Sequence, residues 1–184
     1  MTDALQRRGL HGVGLTELLH KAQAPKGVLY HHFPGGKTEL AVAAVDAAVA
    51  RLCSSLDTLL EQRVDPVGAL RQWMAGAQKQ LERSGFERGC PLAAVALESA
   101  PDDALLRAAL ARGFAALRGR LAALLQQSGL EPARAAGLAT LTVAAYEGAL
   151  IQARVAGDAR PMRDTADALL SLLATELEAA RPAS

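Results

Sequence analysis

The chain has 184 residues and a formal net charge of +1, and 51% of its residues are hydrophobic while only 3% are aromatic. Alanine and leucine dominate the hydrophobic fraction and favour helices, whereas the β-branched and aromatic residues that favour strands are scarce. The composition therefore indicates an all-α protein. No uncharged apolar run reaches the roughly 18 residues that a membrane span needs. The N-terminus also lacks a secretory signal pattern, so we expect a cytoplasmic protein without a membrane partner.

The charged residues are unevenly distributed along the chain. Residues 1–40 carry five Lys or Arg against three Asp or Glu, which gives +2, and the remaining residues carry −1. All four histidines fall within the first 32 residues. This bias is a weak electrostatic indication that the N-terminal part binds nucleic acid.

Glycine and proline divide the chain into helical segments. The apolar spacing predicts three short helices in the first 33 residues, followed by about six longer ones. These longer helices are predicted to span Lys37 to Asp65, to begin at Pro66, Pro91 and Pro101, and to cover roughly 132–156 and 162–180. We therefore expect an N-terminal three-helix domain over residues 1–44 and a C-terminal helical domain over residues 45–184.

The stretch from Leu15 to Leu40 carries the most informative pattern. Leu15, Leu18 and Leu19 form the buried face of a short helix, a tight turn follows, and a second short helix begins at Pro25. Two short helices joined by so tight a turn indicate a helix-turn-helix, whose second helix enters the major groove of DNA.

The second of these helices has an unusual polar face. Its apolar face consists of Leu29 and Phe33, and its other side consists of Lys26, Gly27, Tyr30 and His31. Glycine within a helix costs about 1 kcal/mol relative to alanine, but it allows a backbone to approach closely to a phosphate or a base. Spacing alone leaves a second interpretation open, in which this is a surface helix with a solvated polar face.

A family resemblance favours the DNA-binding interpretation. The string from Lys26 to Phe33, KGVLYHHF, resembles the recognition-helix signature of the TetR/AcrR family of transcriptional regulators. The turn Phe33-Pro34-Gly35-Gly36-Lys37 is similar to that of the LmrA/YxaF-like branch. So is the segment Arg88-Gly89-Cys90-Pro91-Leu92-Ala93, with the later Leu97-Glu98. The resemblance implies a nine-helix subunit that dimerises through its last two helices and holds a small-molecule effector in its C-terminal domain.

The resemblance also implies roles for individual residues in binding a double-stranded DNA operator. The residues that match base-facing positions are Gly27, Val28 and His31. The residues that match phosphate-facing positions are Lys26, Tyr30 and Lys37, and Thr16 on the preceding helix offers a hydroxyl to a phosphate.

Three features depart from the family pattern. Pro25 stands where a small hydroxyl residue is usual, and Gln23 stands where glycine is usual. The first helix, Thr2–Arg8, is short, and from this we expect an in-frame start codon upstream of Met1. An upstream stop codon with no alternative start would contradict this expectation. A shortened first helix also leaves open an alternative function, a ligand-binding or dimerisation module that has lost DNA binding.

The C-terminal domain offers candidates for an effector pocket and a dimer interface. Aromatic side chains line pockets but more often fill a core; the candidates for effector contact are Trp73, Phe86, Phe114 and Tyr146. Leucines on the final helix form a stripe that could close a four-helix bundle between two subunits. The proposed interface residues are Gly148, Leu169, Leu173 and Leu177. The alternative is that the apolar faces of the last two helices are both buried within one subunit.

The two cysteines and two glutamates of the C-terminal domain are expected to have structural rather than chemical roles. Cys90 precedes a helix, where a thiol can be activated, but a buried structural role is the simpler expectation, and Cys53 is treated likewise. Glu98 and Glu147 are expected at solvated edges. We find no residues spaced as metal ligands, no catalytic constellation and no cofactor motif. The sequence thus predicts a homodimeric transcriptional regulator, not an enzyme. Repression is the expected outcome, with activation as the alternative, and the operator and the effector are left open.

Overall fold

A computed structural model describes residues 1–61, 65–100 and 103–181, and every regular element in these residues is an α-helix. The all-α prediction is thereby confirmed. In chain order the helices are α1 (Thr2–Arg8), α2 (Leu15–Lys21), α3 (Lys26–His32), α4 (Gly36–Glu61), α5 (Pro66–Arg83), α6 (Pro91–Glu98), α7 (Ala104–Gln127), α8 (Pro132–Ala156) and α9 (Arg160–Ala179).

Prolines mark helix starts, as the sequence predicts, and acidic residues cap two of the same helices. Pro66 and Pro132 begin α5 and α8, where the missing N–H costs no hydrogen bond. The carboxylates of Asp65 and Glu131 accept backbone hydrogen bonds in the first turns of these helices, at 2.9 and 3.0 Å. A cap of this kind contributes about 1 kcal/mol, so local sequence fixes these boundaries.

Two helix ends differ from the predicted pattern. The long helix α4 was expected to reach Asp65, but this residue caps α5 instead, and residues 62–64 lie outside the described part of the chain. The predicted helix start at Pro101 also lies outside the described residues, and α7 begins at Ala104. A carboxylate that caps a following helix has non-helical backbone and cannot extend the helix before it.

The described residues form two compact units, and the first combines N-terminal and central segments. It contains the described residues of Met1–Ala50 and Gly89–Phe114. α6 packs against α1. α7 approaches its neighbours closely at Gly113, where a Cβ would lie 2.7 Å from Val49 Cγ2 and 3.2 Å from Leu92 Cδ2. The core of this unit includes Leu5, Val13, Val45, Leu92, Val95 and Leu106.

The second unit contains the described residues of Arg51–Arg88 and Ala115–Ser184. Here α9 packs against both α8 and α5, and Arg134 on α8 forms an ion pair with Glu176 on α9. Its core includes Leu70, Met74, Leu121, Leu138, Met162, Leu170 and Leu173. No helix among the described residues is long and apolar enough to cross a membrane.

Candidate nucleic-acid interface

The turn between α2 and α3 is closed by backbone hydrogen bonds. The N–H of Gln23 donates to the carbonyl of His20 at 3.1 Å, and the N–H of Ala24 donates to that of Leu19 at 3.0 Å. Gln23 has a φ of 51°, the left-handed conformation in which many helices end. The turn thus joins two helices of seven residues each, in the arrangement of a helix-turn-helix.

The third helix has one buried side and one exposed side. Leu29 is buried and Phe33 is half-buried, as their spacing predicts. We call the opposite side the α3 surface; its exposed residues are Lys26, Gly27, Val28, Tyr30 and His31. Val28 and Tyr30 are 45% and 46% exposed, although both are large hydrophobic residues. The helix therefore presents polar groups of Lys26, Tyr30 and His31 to the outside together with the apolar side chain of Val28.

Gly27 stands at the centre of the α3 surface without any steric need inside the chain. A Cβ placed on it would have no heavy atom within 4 Å. By contrast, a Cβ on Gly113 would overlap its neighbours. The packing of this chain therefore gives no reason for a glycine at position 27, where the helix backbone is open to the outside.

Thr16 and Lys37 lie on the helices that flank the α3 surface. Thr16 is exposed in the first turn of α2, and Lys37 is half-exposed at the start of α4. The turn before Lys37 is fixed because Gly36 has a φ of 67° and the N–H of Gly35 donates to Glu39 Oε2 at 2.8 Å. The first unit thus carries all seven residues of the predicted DNA interface, none of them buried.

The short helix α1 is held against α2 by a paired contact. The guanidinium of Arg8 donates to both carboxylate oxygens of Glu17, at 3.0 and 2.6 Å. The hydrogen bond from Arg8 lowers the pKa of Glu17. Leu5 of α1 is completely buried. Seven residues are therefore enough for α1 to contribute to the core and to an ion pair with α2.

Comparisons with known proteins identify both parts of the chain. Residues 2–44 match the model of bacterial regulatory proteins of the tetR family. Residues 66–168, more than half of the chain, match the C-terminal domain of LmrA/YxaF-like transcriptional regulators. This chain belongs to the TetR family. It is a DNA-binding transcriptional regulator, and the alternative of a module without DNA binding is not favoured, because the tetR match includes the helix-turn-helix.

Relatives of similar length support this assignment. An uncharacterised HTH-type transcriptional regulator of Mycobacterium tuberculosis is 35% identical over 182 residues, covering 94% of this chain and 90% of that protein. The HTH-type transcriptional regulator LmrA of Bacillus subtilis is 27% identical, and the match covers 94% of this chain and 92% of that protein. The crystal structure of regulatory protein TetR from Rhodobacter sphaeroides has a TM-score of 0.82 and 27% identity, and the match covers 92% of this chain and 93% of that one.

In this TetR-family chain the aromatic candidates for effector contact are only partly brought together. Trp73 and Tyr146 pack with ring centroids 4.8 Å apart, and both are buried in the second unit. Trp73 Nε1 donates to Ser55 Oγ at 3.1 Å. Phe86 is half-buried in the turn after α5, with a φ of 62°, and Phe114 is half-buried in the first unit.

The leucines proposed for the dimer interface are placed differently from the expectation. Leu169, Leu173 and Leu177 are at most 8% exposed in the single chain, and Leu173 has no exposure at all. They belong to the core of one subunit because α9 uses this stripe to pack against α8 and α5. Of the four proposed residues only Gly148 remains accessible, as it is half-exposed on α8.

Sequence reasoning singled out small residues of α8, including Gly148, but not the large exposed apolar residues on the same side of this helix. Leu141, Ile151 and Val155 are 46%, 45% and 83% exposed. The complete stripe is Gly137, Leu141, Ala144, Gly148, Ile151 and Val155, with alternating spacings of four and three residues. This alternation is typical of helix pairs in coiled coils and bundles, so the printed sequence does contain the signal.

The cysteines and the two glutamates also have defined surroundings. Cys53 and Cys90 are both buried, and burial raises the pKa of the Cys53 thiol, which keeps this thiol protonated. Glu98 and Glu147 were expected at solvated edges. The Glu98 side chain is 32% exposed, and its carboxylate contacts the segment between α1 and α2. Both carboxylate oxygens of Glu147, by contrast, are buried.

Proposed function

We propose that this regulator is a homodimeric repressor that binds an operator through the α3 surface and leaves it when a small molecule binds the second unit. The observation that carries the proposal is Gly27, which lies open in the first turn of an exposed recognition helix. A helix backbone without a side chain at that point can approach the floor of the major groove.

The roles of the interface residues follow from their chemistry and position. Val28 and His31 lie beside Gly27 and are suited to contact base edges, Val28 through a thymine methyl group and His31 through hydrogen bonds. The groups suited to phosphate are cationic or hydroxyl-bearing. They are Thr16, Lys26, Tyr30 and Lys37.

The outward side of α8 and α9 is the proposed dimer interface. Leu141, Ile151 and Val155 expose apolar surface, and Gly137 and Gly148 allow a second helix to approach closely. On α9, exposed Leu172 is the corresponding apolar residue. A second copy of the chain fits this surface because a two-fold axis would pair the same stripe with itself and form a four-helix bundle.

The effector site is proposed beside the Trp73–Tyr146 pair. An aromatic pair with a nearby hydroxyl, Ser55, is suited to a flat apolar ligand with a polar group. Such a ligand would favour a conformation in which the two recognition helices no longer match grooves roughly 34–36 Å apart. Trp73 is the single tryptophan, so a compound that releases operator is expected to change its fluorescence. Release without any fluorescence change would place the effector elsewhere.

The DNA-binding roles are tested by separating affinity from specificity. An operator is first selected from random duplexes with the unmodified protein. Lys26→Ala and Tyr30→Ala should weaken operator and unrelated DNA alike, because phosphate contacts carry no sequence information. His31→Ala should lose discrimination by about 1–3 kcal/mol.

The matched control is Lys79→Ala, which removes a lysine from α5 in the second unit. It should bind the operator as the unmodified protein does. Operator binding by all three α3 variants at the unmodified level would contradict the proposed interface, and selection of no duplex at all would contradict the proposed function.

A further inference from the structure

α6 takes no part in the proposed DNA contacts or in the dimer stripe, and polar groups at its two ends contact α1 and the segment that follows it. α6 packs against α1 inside the first unit. Glu98, the last residue of α6, and Gly89, two residues before the first residue of α6, both form hydrogen bonds with the N-terminal segment that contains α1. These two contacts lie at opposite ends of α6.

At the C-terminal end of α6, the Glu98 carboxylate binds the loop between α1 and α2. Its Oε2 accepts a hydrogen bond from the backbone N–H of His11 at 2.7 Å and lies 3.3 Å from His11 Nδ1. The Glu98 side chain is 32% exposed, whereas that of His11 is 74% exposed. The two contacts share one carboxylate oxygen, and the contact with the backbone is the shorter of the two.

Gly9 fits this contact in two ways. Its φ of 66° and ψ of −169° form a backbone conformation that is essentially restricted to glycine. A Cβ at this position would also overlap the Glu98 carboxylate. The loop thus leaves a space that the carboxylate fills, and the N–H of Gly9 is meanwhile bonded to the carbonyl of Leu5 at 3.0 Å.

At the N-terminal end of α6, the N–H of Gly89 donates to the carbonyl of Gln6 at 3.0 Å. Gln6 lies in the last turn of α1, where carbonyls have no partner within the helix. Within the segment between α1 and α2, Leu10 and Val13 are buried, and Gly14 is the N-cap of α2. A displacement of the loop would therefore change the orientation of α2, and with it that of α3, relative to the core of the first unit.

We propose that Glu98 is a positioning residue for the DNA-binding helices α2 and α3. Its carboxylate fixes the Gly9–His11 loop and thereby the orientation of the helix-turn-helix. The inference rests on the proposed function, since the orientation matters only if α3 reads DNA. It predicts that Glu98 controls the affinity for a specific operator although the residue carries none of the proposed DNA contacts. Weak, non-specific binding to phosphates needs less exact orientation and should be spared.

The test compares two substitutions of nearly equal size. Glu98→Gln keeps an oxygen that can accept the His11 N–H, and Glu98→Met removes it. The operator selected with the unmodified protein and an unrelated duplex of equal length are the probes. We expect Glu98→Met to weaken operator binding roughly three- to thirtyfold, with non-specific binding within about twofold of the unmodified protein. We expect Glu98→Gln to restore most of the operator affinity.

Amide hydrogen exchange and a charge control separate positioning from a general loss of structure. The His11 amide should exchange faster in Glu98→Met than in Glu98→Gln, while the thermal unfolding curves of both stay close to that of the unmodified chain. Asp46→Asn removes one exposed carboxylate from α4 in the same unit and should not change operator discrimination.

The outcomes distinguish the inference from the function on which it rests. Equal operator affinity of a folded Glu98→Met variant and the unmodified protein would overturn the positioning role, as would an equal loss on operator and unrelated DNA. If the unmodified protein selects no operator, the proposed function fails first and the positioning role fails with it.

Discussion

Two residues of the helix-turn-helix are unfavourable for local stability. Gly27 lies in the first turn of α3 without a packing reason, and Gln23 adopts a left-handed conformation that is costly for a residue with a Cβ. The two conflicts have different origins. The hydrogen-bonded turn imposes the conformation of Gln23 from within the chain, whereas no neighbour within the described chain imposes a glycine at position 27.

Gly27→Ala is expected to stabilise the protein and weaken the operator complex at the same time. Alanine reduces the conformational freedom of the unfolded chain and should raise the free energy of unfolding by about 0.4–1 kcal/mol. The added methyl group would occupy the space that the DNA needs. Urea unfolding and operator titration measure the two effects.

Gly76→Ala provides a control, because Gly76 is also helical and also has open space around its Cβ position. It should gain similar stability and keep operator affinity. If Gly27→Ala binds the operator as tightly as the unmodified protein, the α3 backbone does not approach DNA at this point.

Helices α8 and α9 show how one element can serve two surfaces. Their inward residues form the core of the second unit, and α8 keeps a separate outward stripe of apolar and small residues. A residue such as Leu173 therefore reports on folding, and a residue such as Ile151 reports on association. Substitutions at the two positions should have different consequences.

Ile151→Glu is expected to give a folded monomer, because it places a charge on exposed surface that a second subunit would cover. Leu173→Glu is expected to unfold the subunit, since a fully buried charge has no partner there. Light scattering gives the mass, and circular dichroism gives the helical content. Gln152→Glu, which adds a charge beside the stripe on exposed surface, should stay dimeric. A dimeric Ile151→Glu at low micromolar concentration would place the interface elsewhere.

Across the whole molecule, charge acts through local pairs, since the net charge is only +1. Arg8 pairs with Glu17 in the first unit, and Arg134 pairs with Glu176 in the second. Hydrogen bonds from these arginines lower the pKa of both glutamates. Backbone hydrogen bonds likewise lower the pKa of Glu131 and Asp158. All four groups favour the folded state when they are ionised.

These four carboxylates should accordingly make the melting temperature depend on pH in the acid range. A carboxylate with a depressed folded pKa contributes fully above its ordinary value of 4.5 for glutamate, and the contribution disappears as the pH falls through the folded pKa. Glu176→Gln should lower the melting temperature at pH 7 and reduce its fall between neutral and acid pH. The same difference between variant and unmodified protein at every pH would contradict this linkage.

Local sequence determined the helices and the DNA reader. Proline and acidic residues set the starts of α5 and α8, and the spacing of Leu29 and Phe33 decided which side of α3 faces inward. Both depend on interactions within a few residues, so a single sequence contains the information. The family resemblance added the roles of individual residues, which remain proposals for this chain.

Only the tertiary structure decided what each apolar stripe and each isolated polar residue contacts. The pattern of α9 required burial of Leu173, but periodicity does not distinguish a neighbouring helix of the same subunit from a second subunit. Glu98 lies 87 residues from His11 in the sequence, and nothing in its own helix indicates that partner. Hydrophobic periodicity specifies that a face is covered, whereas the covering surface depends on chain packing over long separations, which local patterns do not contain.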